Sequence, residues 1–250
     1  MICQKVMGMR NIDDVRKNVE DLLMEEFGIS PDVRVFAFGG GGGRIASYLA
    51  DRGISGAKII AINADEKGLG EINADKKMLL GKDVLGEHKD TAGEVKVAEY
   101  IIDRSKAWIL EEASSADVIV LLAALGGGMG TGGILETAKI LKERTKKPVV
   151  AIMVLPFSIE GERRKMAIEA VNRIKEIVTK CIVLDSDTFF KTPNVKVTMA
   201  YEIMYERIYD LISKITNITR VEIERKFREL YLSEIDAVVE KVYSEMLVAA

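Results

Sequence analysis

The chain has 250 residues, 48% hydrophobic and 30% charged, a balance that supports one large or two small globular domains and excludes a disordered or fibrous chain. Its formal net charge of −3 gives nucleic acid no electrostatic footing as the main ligand, and the single basic triplet, Arg163-Arg-Lys165, reads as a solvated helix face. Two distant cysteines, Cys3 and Cys181, and one histidine, His88, exclude a disulfide framework, a zinc ribbon and any multi-histidine metal site.

In chain order, Met1 to Arg10 lacks the apolar core of a signal peptide. Residues 11–27 set Ile12, Val15, Val19, Leu22 and Leu23 among charged residues at the period of an amphipathic helix, closed by Gly28 and Pro31. Val33-Arg-Val-Phe-Ala-Phe38 reads as a buried strand running into Gly39-Gly-Gly-Gly-Gly43, with a helix expected from Arg44 to Asp51. Glycines Gly39, Gly40, Gly41, Gly42 and Gly43 crowd N–H groups at a helix start, where a phosphate binds; a flexible turn without ligand is the alternative. No Gly-Lys-Ser/Thr follows, so this is not a P-loop, and Arg44 stands where a dinucleotide fingerprint has its third glycine. Ala57-Lys-Ile-Ile-Ala-Ile62 is the next strand. At its end Asn63 and Asp65 either contact a sugar, a phosphate-bound water or a magnesium ion, or simply cap the turn.

A short strand is expected at residues 77–80, then a polar working loop over 81–92 in which His88 is an exposed bystander. Residues 94–113 form a helix with Val97, Ala98, Ile101, Trp108 and Ile109 facing inward. The apolar run 116–123 is a strand, far too short to span a membrane, and opens into Gly126-Gly-Gly-Met-Gly-Thr-Gly-Gly133. The chain is organised around this stretch. Six glycines and one hydroxyl at the positive end of a helix dipole bind anionic oxygens, and a turn packed for tightness alone rarely needs more than one or two. A helix follows over 134–145, a strand over 148–155, the turn Pro156-Phe-Ser-Ile-Glu-Gly161, a helix over 162–179 and a strand over 181–184. Beyond residue 197 no strand pattern remains. A helix is expected over 199–215, and 221–247 repeats Phe227, Leu230, Tyr231, Ile235, Val238, Val242 and Met246 at helical spacing.

Alternating strands and helices predict an α/β fold: a doubly wound, mostly parallel, Rossmann-like sheet with helices on both faces, followed by C-terminal helices. Right-handed crossovers bring both glycine turns to one sheet edge, where together they suit a polyphosphate better than one dinucleotide loop does. The expected division is a helical extension at 1–32, a nucleotide-binding domain at 33–216 ending in a central helix, and a helical segment at 217–250.

These residues resemble the tubulin/FtsZ superfamily of GTP-binding assembly proteins. Gly126-Gly-Gly-Met-Gly-Thr-Gly132 is similar to its Gly-Gly-Gly-Thr-Gly-Thr/Ser-Gly signature, with Met129 in place of the first threonine. Phe38 to Gly43 resembles its first nucleotide loop, with Arg44 where asparagine is usual, and Ala61-Ile-Asn-Ala-Asp65 resembles its Val-Asn-Thr-Asp turn. Pro156-Phe-Ser-Ile-Glu-Gly161 followed by Arg164 is similar to Pro-Phe-x-Phe-Glu-Gly-x-x-Arg. The resemblance runs from about Val33 to about Thr216. It implies a cytoplasmic, cytoskeletal or cell-division protein that binds GTP or GDP with Mg2+ held through the phosphates. Glycine N–H groups of Gly126, Gly127, Gly128, Gly130 and Gly132 and the Thr131 hydroxyl would hold the phosphates, Glu160 the ribose, and Arg164 the base side beside Pro156. Ser186 and Tyr201 stand where the family has asparagines for guanine, and Tyr201 would stack on the purine. The γ-phosphate loop at 87–93 shares Ala92-Gly93 with the family.

The family's second domain brings an acidic loop, Asn-x-Asp-x-x-Asp, into a neighbour's site. That loop is absent here. Glu222 and Glu224 are the nearest acidic run and weak catalytic candidates, with a solvated helix face as the favoured reading. Hydrolysis is therefore expected to be weak or to need a carboxylate in trans, with partners in self-association or another cytoskeletal protein. One alternative is a non-hydrolysing module that pairs through its C-terminal helix. A remote one is an NAD(P)-binding Rossmann enzyme.

Overall fold

The uninterrupted apolar runs become strands because neither face of a parallel sheet meets water. The computed structural model describes residues 11–86, 90–189 and 197–249; the expectations for Met1 to Arg10, Cys3, Glu87 and His88 lie outside them. Among the described residues six strands form: β1 (Val33–Phe38), β2 (Ala57–Asn63), β3 (Lys76–Leu79), β4 (Val118–Ala124), β5 (Val149–Leu155) and β6 (Lys180–Asp185). All pair in parallel, in the order β3-β2-β1-β4-β5-β6. The winding direction reverses between β1 and β4, whose register runs from Val33↔Val118 to Phe38↔Ala123. Connections leaving the carboxyl ends of two such strands diverge, and a crevice opens between them.

The helices are α1 (Ile12–Glu26), α2 (Gly39–Arg52), α3 (Glu66–Gly70), α4 (Lys82–Leu85), α5 (Val95–Arg104), α6 (Lys106–Ser114), α7 (Ile134–Arg144), α8 (Glu162–Ile174), α9 (Ser186–Phe189) and α10 (Val197–Ala249). Strand alternation sorts the core in two. Phe36, Phe38, Leu121 and Met153 pack on Ile101, Ile109, Leu135 and Ile174 of α5 to α8. Val35, Ala37, Val120 and Leu122 pack on Ile45 and Leu49 of α2 and on Met204, Ile208 and Ile212 of α10. The chain divides into two units, one spanning 32–216 and one made from the residues up to Pro31 and from Asn217 onward. In the second, Asn11 caps α1 by accepting the Asp13 N–H at 2.8 Å, Val15 and Val19 pack on Phe227, Ile235 and Val239, and Arg228 donates twice to Glu20.

Several expected boundaries move. The helix expected over 94–113 is two, α5 and α6, because at Ser105 the backbone leaves helical geometry (φ −97, ψ 9) and its N–H closes α5 on Ile101 and Ile102. The break turns Trp108, expected in the core, outward to 56% exposure. The two expected C-terminal helices are one run, α10, interrupted at Tyr231 (φ −117, ψ 21), since neither glycine nor proline stands at 216–220 to end it. The helix expected through 179 stops at Ile174.

At the amino-terminal edge of the sheet Arg34 donates to both carboxylate oxygens of Asp32, at 2.5 and 2.6 Å, and Lys76 donates to Glu112. The Arg34 hydrogen bond holds the Asp32 carboxyl below the usual carboxylate range, against the upward push of burial. Burial pushes Glu112 up, but the Lys76 hydrogen bond and the charges of Lys76, Lys58 and Arg34 outweigh it, so the net direction is down. A depressed folded pKa gives stability that is fully present above the unfolded value and lost as pH falls through the folded one. The stability gap between wild type and Asp32→Asn, measured by urea unfolding, is therefore expected to be full at neutral pH and to shrink below about pH 4. A gap that ignores pH would remove the ionised Asp32 from this account.

Candidate functional site

Two strand ends build the crevice. β1 passes into α2 through Gly39, whose φ of +70° favours glycine. No side chain caps α2 and no acidic residue sits in its first turn, so its leading N–H groups keep their capacity for an anion. The five glycines expected as a loop before the helix are thus its first turn and a half. After β4, the Leu125 N–H donates to Val154 O at 2.9 Å, Gly126 reverses the chain at φ +93°, and its N–H donates to Thr131 Oγ1 at 2.9 Å. Met129–Gly133 then forms one turn of π-helix leading into α7. The turns touch: a Cβ on Gly39 would lie 3.0 Å from Gly130 N, and one on Gly130 only 2.4 Å from Ala124 O.

Between them lies a cavity of about 680 Å³, within the range of small-ligand sites. Gly39, Gly40, Gly41, Gly127, Gly128 and Gly130 line it, with Met129. Arg44, Ser186, Tyr201, Met204 and Tyr205 also line it, as do Asn63 and Asp65 after β2 and Pro156 and Glu160 after β5. Glycine N–H groups, an uncapped helix start and an aromatic wall fit a phosphate chain attached to a flat ring. Among the described residues no group of three or more His, Cys, Asp or Glu side chains could hold a metal ion.

Six expected contacts stand back from the lining: Gly42, Gly43, Gly126, Thr131, Gly132 and Arg164. Gly42 and Gly132 serve close packing, since a Cβ would meet Leu122 O at 3.2 Å and Val95 O at 2.3 Å, so the glycine-rich turns are packed for tightness as well as for a ligand. Thr131 is 1% exposed, and its oxygen holds the turn through Gly126. Arg164 grips Asp185 at 2.6 and 2.9 Å and Pro156 O at 2.5 Å, and the Asp185 hydrogen bond raises its pKa. Its neighbour Arg163 lines the cavity instead, donating to Gly126 O at 2.9 Å and to Glu160 at 2.5 Å, while its side chain stays 58% exposed, in keeping with its reading as part of a solvated face. Glu160 also accepts the Phe157 N–H at 2.9 Å, and Ser186 donates to Leu155 O at 2.6 Å. Glu222 and Glu224 belong to the other unit, and Arg225 holds the Glu222 carboxyl down through a hydrogen bond at 2.7 Å.

Sequence reasoning passed over Asp90, Thr91 and Tyr205, which also line the cavity. Asp90 accepts the Ala92 N–H at 2.7 Å, Ala92 takes φ +48°, and Thr91 is buried against Gly128. The adjacent Ala92-Gly93 was the available signal.

A family model described as the GTPase domain of the Tubulin/FtsZ family matches residues 32–194. The chain is 32% identical over 212 residues to cell division protein FtsZ 1 of Thermococcus kodakarensis, covering 84% of this chain and 56% of that protein. It is 32% identical over 202 residues to cell division protein FtsZ 2 of Methanocaldococcus jannaschii, covering 80% and 52%. It thus spans about half the length of these curated relatives. Among solved structures, an FtsZ dimer of M. jannaschii superposes with a TM-score of 0.71 at 29% identity, covering 80% of this chain and 59% of that one. A GTPγS-bound protofilament of CetZ2 from Haloferax volcanii (TM-score 0.64, 20% identity, covering 74% and 58%) shares the fold. The family model spans more than half of the sequence, and the chain belongs to the tubulin/FtsZ family.

Proposed function

We propose that the crevice binds GTP or GDP and that the protein is a cytoplasmic, cytoskeletal or cell-division GTPase whose turnover depends on a carboxylate from a second subunit. The observation that carries this reading is the uncapped start of α2 beside the Gly126–Gly133 turn, both bordering one cavity at the switch point of the sheet. N–H groups of the glycine turns would hold the phosphates, with Thr131 bracing the turn. Glu160 would meet the ribose, and Arg164 would act on the base side through Pro156 and Asp185. Tyr201 would stack on the base. Mg2+, when bound, would neutralise phosphate charge. Asp65 and Asp90 border the cavity and would hold it only together with the phosphates and water. Hydrolysis would be in-line attack by water on the γ-phosphate, with positioning and charge stabilisation carrying the rate.

A second reading has its own observation. Glu222 is engaged by Arg225, and Asp90 is held by Ala92, so neither is poised as a base. A non-hydrolysing module that binds nucleotide and pairs with a second copy or another cytoskeletal protein fits the same facts. No described helix is long and apolar enough to cross a membrane. Nucleotide released from the purified protein is expected to chromatograph as GDP or GTP. Phosphate release per chain is expected to rise with protein concentration. Zero release at every concentration, with tight nucleotide binding, would favour the module, and a protein that binds no guanine nucleotide would sink both readings.

A further inference from the structure

Within the 32–216 unit, α2 and the start of α10 face each other with matching four-residue spacing: Arg44, Tyr48 and Arg52 against Tyr201, Tyr205 and Tyr209. Away from the cavity every rung is complete. The rings of Tyr48 and Tyr205 lie 5.6 Å apart, and Tyr48 donates to Glu206 at 2.5 Å. Arg52 lies over Tyr48 and Tyr209, 4.9 and 5.4 Å from their centroids, and pairs with Glu206 at 2.5 Å.

The rung at the cavity is different. Arg44 is exposed, lines the cavity with Tyr201 and Tyr205, and makes no ion pair or hydrogen bond among the described residues. Its charge reaches the Tyr205 phenol, which burial pushes up and Arg44 pulls back down. The other cation of the lining, Arg163, is already spent on Gly126 O and Glu160. Arg44 therefore presents a planar fork of donors beside an aromatic wall, directly after the last of the glycines. A flat ring lying on that wall with two adjacent acceptors on one edge satisfies the fork. Guanine offers such a pair in O6 and N7, whereas adenine sets a donor, N6, beside N7 and would face the guanidinium donor to donor.

We infer that Arg44 is the specificity-determining residue of the site, its guanidinium taking the O6/N7 edge of a guanine stacked at Tyr201. The inference rests on the nucleotide reading above. Affinities of the full chain for GTP, ATP and 7-deaza-GTP, measured by calorimetry for wild type, Arg44→Ala and Arg44→Lys, test it. Wild type is expected to prefer GTP over both other nucleotides by about tenfold or more, the discrimination of a two-pronged base contact. Arg44→Ala should lose about 10- to 100-fold for GTP. It should stay within about threefold for ATP and lose less for 7-deaza-GTP, which keeps only the O6 acceptor, than for GTP, which separates base reading from charge attraction. Arg44→Lys keeps the charge without the fork and should fall between. Retained ATP binding also reports that the variants fold. An equal loss for GTP and ATP in Arg44→Ala would move Arg44 to the phosphates and overturn the inference. Equal wild-type affinity for GTP and ATP would overturn it while leaving the nucleotide site standing, and a wild type that binds neither would overturn both.

Discussion

Gly128→Val is expected to lower guanine-nucleotide affinity by at least about tenfold, equivalent to about 1.4 kcal/mol. Gly128 is buried at the floor of the cavity, and a Cβ there would lie 2.3 Å from Thr91 Oγ1 and 3.0 Å from both N and O of Glu94. The hydroxyl can rotate away, but the two backbone atoms can move only if the segment at 91–94 moves. Valine adds two methyls to that clash, and overpacking of this kind costs about 1–3 kcal/mol. The displaced elements are the glycine turn and the Thr91 segment, which both border the cavity, so the cost falls on binding as well as on folding. Thr91→Ala in the same chain removes the nearest obstacle and should recover part of the affinity. Calorimetric titration of the single and double variants decides the matter. A single variant that binds like wild type would take Gly128 out of the site, and no recovery in the double variant would take the Thr91 contact out of the explanation.

Phe38→Ala is expected to cost about 3–5 kcal/mol of stability, a large share of an ordinary domain's total. Phe38 is 0% exposed at the end of β1 and packs in the core shared with Met129 and Ile134. Its ring comes so close to the second turn that a Cβ on Gly133 would sit 3.0 Å from Cδ1. Removing it leaves a void directly beneath both glycine turns. Under the proposed function nucleotide binds only the folded form, and saturating GTP should then raise the urea midpoint of the variant. Loss of less than about 1 kcal/mol would mean that the turns are not supported from below as described here.

The sheet was readable because β1, β2, β4 and β5 are continuous apolar runs with glycine or polar residues at their ends, and right-handed crossovers then bring those ends to one edge. The glycine turns were readable as a pair that meets. What α2 does with its glycines was not. Glycine is among the poorest helix formers, yet Gly39 to Gly43 are helical here, with β4 so near that a Cβ on Gly41 would lie 2.5 Å from that of Ala124. Trp108 was misplaced because one non-helical residue, Ser105, rotates everything after it. Arg163 and Arg164 are one residue apart, about 100° on a helix, and periodicity cannot say which faces a cavity supplied by other strands. Tyr205 and Thr91 escaped for the same reason: their partners, Tyr48 and Gly128, lie far away in sequence.

The glycine-lined part of the crevice is made of backbone close to backbone, so it has almost nothing that can repack. Such a mould has little room to change shape, and under the proposed function it would meet only what all nucleoside phosphates share. A change of base preference would then have to come from the side chains that line the same cavity, Arg44, Tyr201 and Tyr205 among them. Redesign of this chain toward another base would begin there and leave every glycine alone.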